Sequence, residues 1–266
     1  MTFTLGPALL FCPADRPDRY AKAFERADAV ILDLEDAVAP TAKEAARAAL
    51  REHRLDSSRT IVRVNPHSTP DFEADLAAVE SAGYRTVMVA KSDASLPRLA
   101  NFEVIALCET ATGVVDAREL AARPEVVALM WGAEDLVASL GGTSSRDASG
   151  RYRDVARHAR STVLLAAGAS GVVAIDTVHL AIDDLDGLRD EAEDAAASGF
   201  AATACIHPSH VAVIREAYRP SSDEVEAARS VIDAAAGQTG VFRLDGQMVD
   251  EPVLRHARAV LQRSRS

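Results

Sequence analysis

Eight short apolar runs, most of them about 20–30 residues apart, are the feature of this sequence that most constrains its fold. Stretches of helical composition separate them. The runs are Ala8–Cys12, Ala29–Leu34, Thr60–Asn65, Thr86–Lys91, Val104–Glu109, Val126–Gly132, Val172–Asp176 and Thr203–His207. They are apolar almost throughout rather than alternating, which is typical of strands in a parallel sheet that is covered by helices.

The stretches between the runs are rich in Ala, Glu and Arg, which favour helix. The predicted helices include Asp18–Arg26, Thr41–His53, Asp71–Ala82, Gly113–Ala122, Asp183–Ser198 and, with the poorest helical pattern, Ser92–Ala100. Eight βα repeats predict a closed (β/α)8 TIM barrel, and an open doubly wound sheet is the alternative. No GxGxxG or P-loop pattern follows any of the runs, which disfavours the nucleotide-binding form of that alternative.

The length of 266 residues suits one such barrel, which typically uses about 250 residues. We predict a barrel over residues 1–220 and a C-terminal helical extension over residues 221–266. Within the extension, Asp223–Ala236 and Glu251–Ser264 are predicted helices, and Gly237–Asp250 is a predicted loop. A glycine-bearing loop between two helices is typical of a lid or of an arm onto a neighbouring subunit.

Composition and charge exclude several classes of protein. Hydrophobic residues make up 48% and charged residues 26% of the chain, as in globular proteins, and the net charge of −11 disfavours a nucleic-acid partner. No apolar run reaches the ~18 residues of a membrane span, and Met1–Leu10 lacks the features of a secretory signal. The three cysteines, Cys12, Cys108 and Cys205, are an odd number and form no CxxC pair, which argues against a fold held together by disulfide bonds. We therefore expect a cytoplasmic protein without membrane contact.

Polar residues end nearly every predicted strand at the same edge, which is the edge where barrels of this kind carry out chemistry. These residues are Asp33, Glu35, Asp36, Arg63, Asn65, Lys91, Glu109, Glu134, Asp135, Asp176 and His207. Strands do end where polarity begins, but scattered surface polarity would not collect at one edge. We therefore predict the functional site there.

Two of these carboxylates suit a metal ion. Glu109 ends the fifth strand and Asp135 lies just beyond the sixth, and adjacent strands are about 4.8 Å apart. Two carboxylates at neighbouring strand ends can share a cation, and oxygen ligands in small number suit Mg²⁺. His207 and His210 lack the helical spacing of a metal-binding pair. A helix cap or a salt bridge is the structural alternative for each carboxylate.

Two cationic side chains lie in the same set. Arg63 stands inside an apolar run, where an unpaired guanidinium is costly, so it needs either a structural partner such as Asp33 or Glu35 or a developing oxyanion. Asn65 has the same strand parity and is expected to add an amide donor. Lys91 is either a Schiff-base nucleophile or, the interpretation we favour, a charge partner for the acidic cluster.

Seven segments, in order along nearly the whole chain, resemble the citrate lyase β-subunit-like and malyl-CoA/citramalyl-CoA lyase family. They are Leu10–Pro13, Ala29–Val38, Val62–Asn65, Leu107–Thr110, Gly132–Leu136, Cys205–Ser209 and Gly246–Asp250. Each segment alone is a weak signal, whereas seven in order are specific. In the region of the fourth strand, Val89-Ala-Lys91 departs from the more usual Pro-Lys of the family.

The resemblance implies a (β/α)8 barrel, a Mg²⁺ ion, a CoA-thioester substrate with a small oxo acid, and a homotrimer or hexamer. It implies Glu109 and Asp135 as metal ligands, with Glu109 also beside the substrate, and Arg63 as a substrate-binding and catalytic group. Asp36 matches an acidic motif near the metal, and Asp250 matches a catalytic residue on a segment that reaches a neighbouring subunit. Arg16, Arg19 and His207 are predicted to contact coenzyme A, with a solvated helix start as the alternative for the two arginines.

The chemistry that the resemblance implies is a Mg²⁺-dependent cleavage of a citramalyl-, malyl- or citryl-CoA type thioester to acetyl-CoA and an oxo acid, or the reverse condensation. Two alternatives remain open. One is the β subunit of a citrate lyase complex acting on an acyl-carrier-protein thioester, and the other is a Schiff-base aldolase using Lys91. A non-catalytic CoA-binding regulator is disfavoured, because a pure binder has no need of a metal-activated hydroxyl.

Overall fold

Eight parallel strands form a closed barrel in the computed structural model of the chain, which describes residues 5–238 and 240–264. The strands are β1 (Ala8–Pro13), β2 (Ala29–Asp33), β3 (Thr60–Val64), β4 (Thr86–Val89), β5 (Glu103–Cys108), β6 (Val126–Trp131), β7 (Val173–Asp176) and β8 (Ala202–Cys205). Each strand pairs with its neighbours in sequence, and β1 closes the barrel by pairing with β8. The predicted (β/α)8 barrel is therefore confirmed.

The apolar runs become strands because both of their faces are buried. Every residue of β2 and β4 is buried, and inward-facing side chains such as Ile31, Ile61 and Met88 fill the barrel interior. Six of the strands, β2 to β6 and β8, end one or two residues earlier than predicted. For example, β4 stops before Lys91 and β8 before His207, because these side chains lie in the turns that leave the sheet.

Helices surround the barrel. They are α1 (Pro17–Arg26), α2 (Lys43–Glu52), α3 (Asp71–Ala82), α4 (Ala111–Val115), α5 (Ala117–Ala121), α6 (Ala133–Ser139), α7 (Asp154–Ser170), α8 (Leu185–Ser198) and α9 (His210–Tyr218), with 3-10 turns at Pro40–Ala42 and Ser57–Arg59. The predicted helix Gly113–Ala122 is two short helices that meet at Asp116, whose carboxylate accepts the Ala94 amide at 3.0 Å.

The helix predicted over Ser92–Ala100 is wrong, because this connection is formed by turns. Asp93 accepts hydrogen bonds from the Ser95 amide and hydroxyl, and such local bonds compete with helix formation. Pro97 lacks an amide proton and would interrupt a helix in the middle of the segment. The Leu96 and Pro97 carbonyls instead accept hydrogen bonds from Arg123. This irregular connection carries Lys91 into the site.

The chain divides into two compact units, Met1–Ile214 and Arg215–Ser266, so the division falls within α9. In the second unit α10 (Ser222–Ala235) packs against α11 (Glu251–Arg263) through Ala228, Ala257 and Val260. The segment predicted as a plain loop, Gly237–Asp250, contains an antiparallel hairpin of β9 (Phe242–Leu244) and β10 (Gln247–Val249).

The sequence contained a signal for this hairpin. Asp245 and Gly246 form its two-residue turn with positive φ angles of 48° and 84°, and Asp-Gly is a favoured pair in such turns. Among the described residues, no helix has both the length and the apolar character needed to cross a lipid bilayer.

Candidate active site

A cavity of about 320 Å³ opens at the carboxyl ends of the barrel strands. Among the residues that line it are Phe11, Asp33, Asp36, Arg63, Leu107, Glu109, Met130, Gly132, Asp135, Val178, Leu180 and Ile206. A larger groove of about 1430 Å³ lies at the amino ends of the strands, but none of the predicted site residues is among the described residues that line it. Because such barrels carry their active sites at the carboxyl ends, the smaller cavity is the candidate site.

Arg63 is held by a carboxylate on the neighbouring strand. The parallel register of β2 and β3 pairs Asp33 with Arg63, and the guanidinium donates to both Asp33 oxygens at 2.7 and 2.6 Å. Glu35 lies 3.0 Å from a second edge of the same guanidinium. Burial alone would lower the pKa of Arg63, but hydrogen bonding to Asp33 and the charges of Asp33 and Glu35 raise it above its ordinary value. Asp33 and Glu35, which the sequence analysis named as possible structural partners of Arg63, therefore both contact its guanidinium.

Asp33 also shapes the loop that follows it. Its two carboxylate oxygens accept the amides of Glu35 at 2.9 Å and Ala37 at 3.2 Å, so the strand end and the acidic loop are fixed together. With the side chain only 1% exposed, this carboxylate is fully engaged by the protein. It positions Arg63 and is not available as a metal ligand.

Glu109 lies directly after β5 and is only 3% exposed. Its Oε1 accepts the backbone amide of Lys91 at 3.0 Å, and Lys91 has a left-handed backbone with φ 49°. The β5–β6 register pairs Cys108 with Trp131, so the next residue on each strand brings Glu109 beside Gly132. A Cβ at residue 132 would lie 2.9 Å from Glu109 Oε2, so this close approach requires glycine.

The environment of Glu109 opposes its negative charge. Burial, together with the nearby charge of Asp135, raises the pKa of Glu109 to about 8. A carboxylate of this kind needs a cation to stay ionised at neutral pH. Asp135, in the first turn of α6, is about one-third exposed at the mouth of the same cavity.

Lys91 lies among four carboxylates. Its Nζ forms an ion pair with Glu35 and lies 3.5 Å from Asp36, 3.4 Å from Asp135 and 4.0 Å from Glu109. Burial alone would lower the pKa of Lys91, but hydrogen bonding to Glu35 and the surrounding negative charges raise it above its ordinary value. A lysine kept as ammonium is a poor nucleophile, so the geometry favours the charge-partner interpretation over the Schiff base.

The acidic residues fit a hard divalent cation with few protein ligands. Within residues 5–238 and 240–264, no group of three or more His, Cys, Asp or Glu side chains is arranged to hold a metal ion. Glu109 and Asp135 line the same cavity, and Mg²⁺ is commonly held by one or two carboxylates while it keeps waters and accepts substrate oxygens. The buried, destabilised charge of Glu109 and the oxygen-only chemistry of the pair both fit that ion.

Lys43 is a site residue that the sequence did not reveal. Its buried Nζ donates to the carbonyls of Leu34 at 2.8 Å and Glu35 at 3.2 Å and to Asn65 Oδ1 at 2.7 Å. These bonds fix the acidic loop after β2, which carries Glu35 and Asp36.

The expectation that Asn65 adds an amide donor to the site is wrong. Its amide donates to Leu34 and Asp75 instead, because Asp75 is fully buried and needs that partner.

Three predicted residues of the barrel, Arg16, Arg19 and His207, are not among the residues that line the cavity. Arg16 is exposed and makes a two-bond ion pair with Asp18, and Arg19 is exposed on α1. His207 is exposed in the turn after β8, where its Nδ1 lies 2.7 Å from Ser209 Oγ. Asp250 belongs to the second unit, where its carboxylate caps α11 by accepting the Val253 amide.

Asp176, a further strand-end candidate, has a structural role. It is buried and accepts hydrogen bonds from Trp131 and Arg160, which joins the ends of β6 and β7 to α7. Burial raises the pKa of Asp176 against the opposing effect of Arg160. Asp176 differs from Glu109 in having the Arg160 guanidinium as a hydrogen-bond partner. The position of a carboxylate at a strand end does not reveal such a partner.

Known proteins have related sequences over nearly the whole of this chain. Residues 8–96 and 97–208 match the HpcH/HpaI aldolase/citrate lyase family. The chain belongs to that family. A citrate lyase subunit beta-like protein of Mycobacterium tuberculosis is 56% identical over 261 residues, which cover 97% of this chain and 96% of that protein.

A more distant relative has a different name. A (3S)-malyl-CoA thioesterase of Cereibacter sphaeroides is 32% identical over 280 residues, covering 97% of this chain and 94% of that protein. Among solved structures, the protein CitE of Mycobacterium tuberculosis in complex with magnesium, acetoacetate and coenzyme A superposes with a TM-score of 0.94. It is 55% identical, and the match covers 99% of both chains.

The close contact between Gly132 and Glu109 predicts the effect of a small substitution. Gly132→Ala places a methyl group against the Glu109 carboxylate, so we expect a loss of about 1–3 kcal/mol in the free energy of unfolding. Gly168→Ala is the matched control, because this helical glycine has nothing within 4 Å of an added Cβ and should be stabilised by about 0.5–1 kcal/mol. Urea unfolding measures both. Equal stabilities for the two variants would contradict the close approach.

The raised pKa of Glu109 predicts a pH dependence of stability. In metal-free protein the folded carboxyl titrates near pH 8 and the unfolded one near its ordinary value of 4.5, so the folded state binds more protons in between. Stability from this group is therefore present below the lower pKa and is lost as the pH rises. Relative to Glu109→Gln, the wild type should lose unfolding free energy between about pH 5.5 and about pH 8 in EDTA. Urea unfolding at the two pH values measures this. If the unfolding free energies of the wild type and Glu109→Gln change by the same amount, the prediction is refuted.

Proposed function

We propose that this chain is a Mg²⁺-dependent carbon–carbon lyase that cleaves a β-hydroxyacyl-CoA thioester to acetyl-CoA and an oxo acid, or catalyses the reverse condensation. The observation that carries the proposal is the buried Glu109 carboxylate, which shares one cavity with Asp135 and with the anchored guanidinium of Arg63. The Mycobacterium tuberculosis homologues crystallised with magnesium and acetoacetate, pyruvate or oxaloacetate, in one case with coenzyme A, support it.

In this mechanism Glu109 and Asp135 hold the metal ion. Bound there, Mg²⁺ would supply Lewis-acid chemistry to the oxo-acid half of the substrate and would lower the pKa of its β-hydroxyl. Asp36, exposed at the mouth, accepts the hydroxyl proton. As the carbon–carbon bond breaks, its electron pair passes to the acetyl-CoA half as an enolate, and the Arg63 guanidinium stabilises that oxyanion. Asp33 keeps Arg63 in place throughout.

Protonation of the enolate carbon completes the cleavage, and we assign this step to Asp250 of a second copy of the chain. Asp250 lies in the C-terminal unit, Arg215–Ser266, and resembles an acidic residue on the C-terminal segment of malyl-CoA lyases that reaches a neighbouring subunit. We therefore propose a homotrimer or hexamer in which residues 221–266 act as the arm. Arg16, Arg19 and His207 are exposed and are proposed to contact the phosphates of coenzyme A.

A second candidate is the β subunit of a citrate lyase complex that acts on an acyl-carrier-protein thioester. A relative from Leuconostoc mesenteroides named citrate lyase subunit beta, 29% identical over 287 residues, supports this possibility. Robust cleavage of CoA thioesters by the isolated chain would exclude it, and co-purification with carrier and transferase subunits would support it. The three cysteines Cys12, Cys108 and Cys205 are all buried, and they suit the cytoplasm that we propose for either activity.

Metal dependence is the direct test of the proposed activity. With Mg²⁺ and a panel of citramalyl-, malyl- and citryl-CoA, we expect release of a free oxo acid that EDTA abolishes. Glu109→Gln and Asp135→Asn should each lower kcat/KM at least about 100-fold, because each removes a proposed metal ligand. Glu119→Gln, an exposed carboxylate on α5, is the matched control and should retain activity. Full activity in EDTA would disprove the metal role.

Borohydride trapping tests the Schiff-base alternative. The Lys91 ammonium is ion-paired with Glu35 and lies near three further carboxylates, so we expect no covalent adduct when borohydride is added during turnover. Intact-protein mass spectrometry with peptide mapping is the measurement, and the Lys91→Met variant provides the background. An adduct mapped to Lys91 in the wild type would replace the metal mechanism with an aldolase.

A further inference from the structure

Lysine is scarce in this chain. Of its 29 basic residues only Lys22, Lys43 and Lys91 are lysines, and the other 26 are arginines. Lys22 is exposed on α1, whereas Lys43 and Lys91 contact the two sides of the acidic loop after β2. A lysine ammonium is a compact point charge with three donors, which a planar guanidinium cannot replace where acceptors converge from several directions.

The four carboxylates around Lys91 Nζ come from different parts of the barrel. Glu35 and Asp36 follow β2, Glu109 follows β5 and Asp135 is in α6. Glu109 and Asp135 are also the pair that we assign to the metal ion. The ammonium therefore lies against the oxygens to which the divalent cation has to bind.

The backbone fixes where this ammonium can go. The amide of Ala90 donates to Val64 on β3, and the amide of Ser92 donates to Leu107 on β5, so Lys91 is fastened on both sides. Its own amide donates to Glu109 Oε1. Lys91 can therefore withdraw from the carboxylates only by rotating its side chain, which is about one-third exposed.

The charges of the site are unbalanced without a metal ion. Five carboxylates, Asp33, Glu35, Asp36, Glu109 and Asp135, surround two cationic side chains, Arg63 and Lys91. The Arg63 guanidinium makes two hydrogen bonds to Asp33 and an ion pair with Glu35. Lys91 is thus the cation that lies near both Glu109 and Asp135, and it repels any second cation that approaches them.

Building on the proposed function, we propose that Lys91 is a positioning residue that serves as a resident counter-ion. In the metal-free protein its ammonium holds the Glu35, Asp36, Glu109 and Asp135 carboxylates together. It also competes with the divalent cation for Glu109 and Asp135, so that the free enzyme binds Mg²⁺ more weakly than the carboxylates alone would.

Calorimetric titration of metal-free protein with Mg²⁺ tests this inference without any substrate. Lys91→Met should bind Mg²⁺ at least tenfold more tightly than the wild type, because a competing positive charge has been removed. Lys22→Met removes the same charge from an exposed helix and should change the Kd less than twofold. The melting temperature of metal-free Lys91→Met should fall below that of the wild type, and saturating Mg²⁺ should restore it.

The outcomes separate the inference from the proposed function. A Lys91→Met protein that binds Mg²⁺ with unchanged or weaker affinity, while the wild type binds it, overturns only the counter-ion role. A wild type that binds no Mg²⁺ overturns both. If Lys91→Met does not fold, Lys91→Gln, which keeps a polar head without the charge, is used in the same titration with the same expected tightening. A lower melting temperature with no gain in affinity shows a merely structural lysine and overturns the inference.

Discussion

The bidentate ion pair between Arg63 and Asp33 is the interaction on which the rest of the site depends. A guanidinium in an apolar barrel strand is tolerated only if a carboxylate reaches it, and the β2–β3 register places Asp33 directly beside it. The same carboxylate accepts the amides of Glu35 and Ala37, so the pair also fixes the acidic loop. One buried pair thereby positions both the guanidinium that we propose to bind the oxyanion and the loop that carries Glu35 and Asp36.

Surplus negative charge is the second constraint, and it explains why a cation is required. Burial and the nearby charge of Asp135 raise the pKa of Glu109 to about 8, so keeping this carboxylate ionised at neutral pH has a cost in free energy. Protein ammonium and guanidinium groups reduce this cost but do not remove it. A divalent ion at Glu109 and Asp135 would offset most of the surplus negative charge and would also supply the Lewis acid, which couples the stability of the site to its chemistry.

Apolar runs were enough to predict eight strands and the barrel, because a strand buried on both faces shows its environment in its composition. Strand-end positions brought together Arg63, Lys91, Glu109 and Asp135. Periodicity could not reveal Gly132 or Lys43, since their roles come from register and from close approach between distant segments. The helix predicted over Ser92–Ala100 failed for a local reason, the side-chain bonds of Asp93, which override helical composition.

The size of the cavity implies that the substrate binds in two regions, the cavity itself and the surface outside its mouth. About 320 Å³ admits the acyl end of a thioester, whereas coenzyme A is far larger, so most of the cofactor has to lie outside the barrel mouth. Leu180 and Ile206 line the cavity and are also exposed at its mouth, so they offer apolar surface to the portion that enters. Contacts with the part of coenzyme A outside the cavity can then contribute binding energy. The cavity itself selects among oxo acids, which differ from one another by only a few atoms. Substrate choice should therefore depend on the cavity wall of Phe11, Leu107 and Met130 rather than on the charged groups, which every such substrate needs.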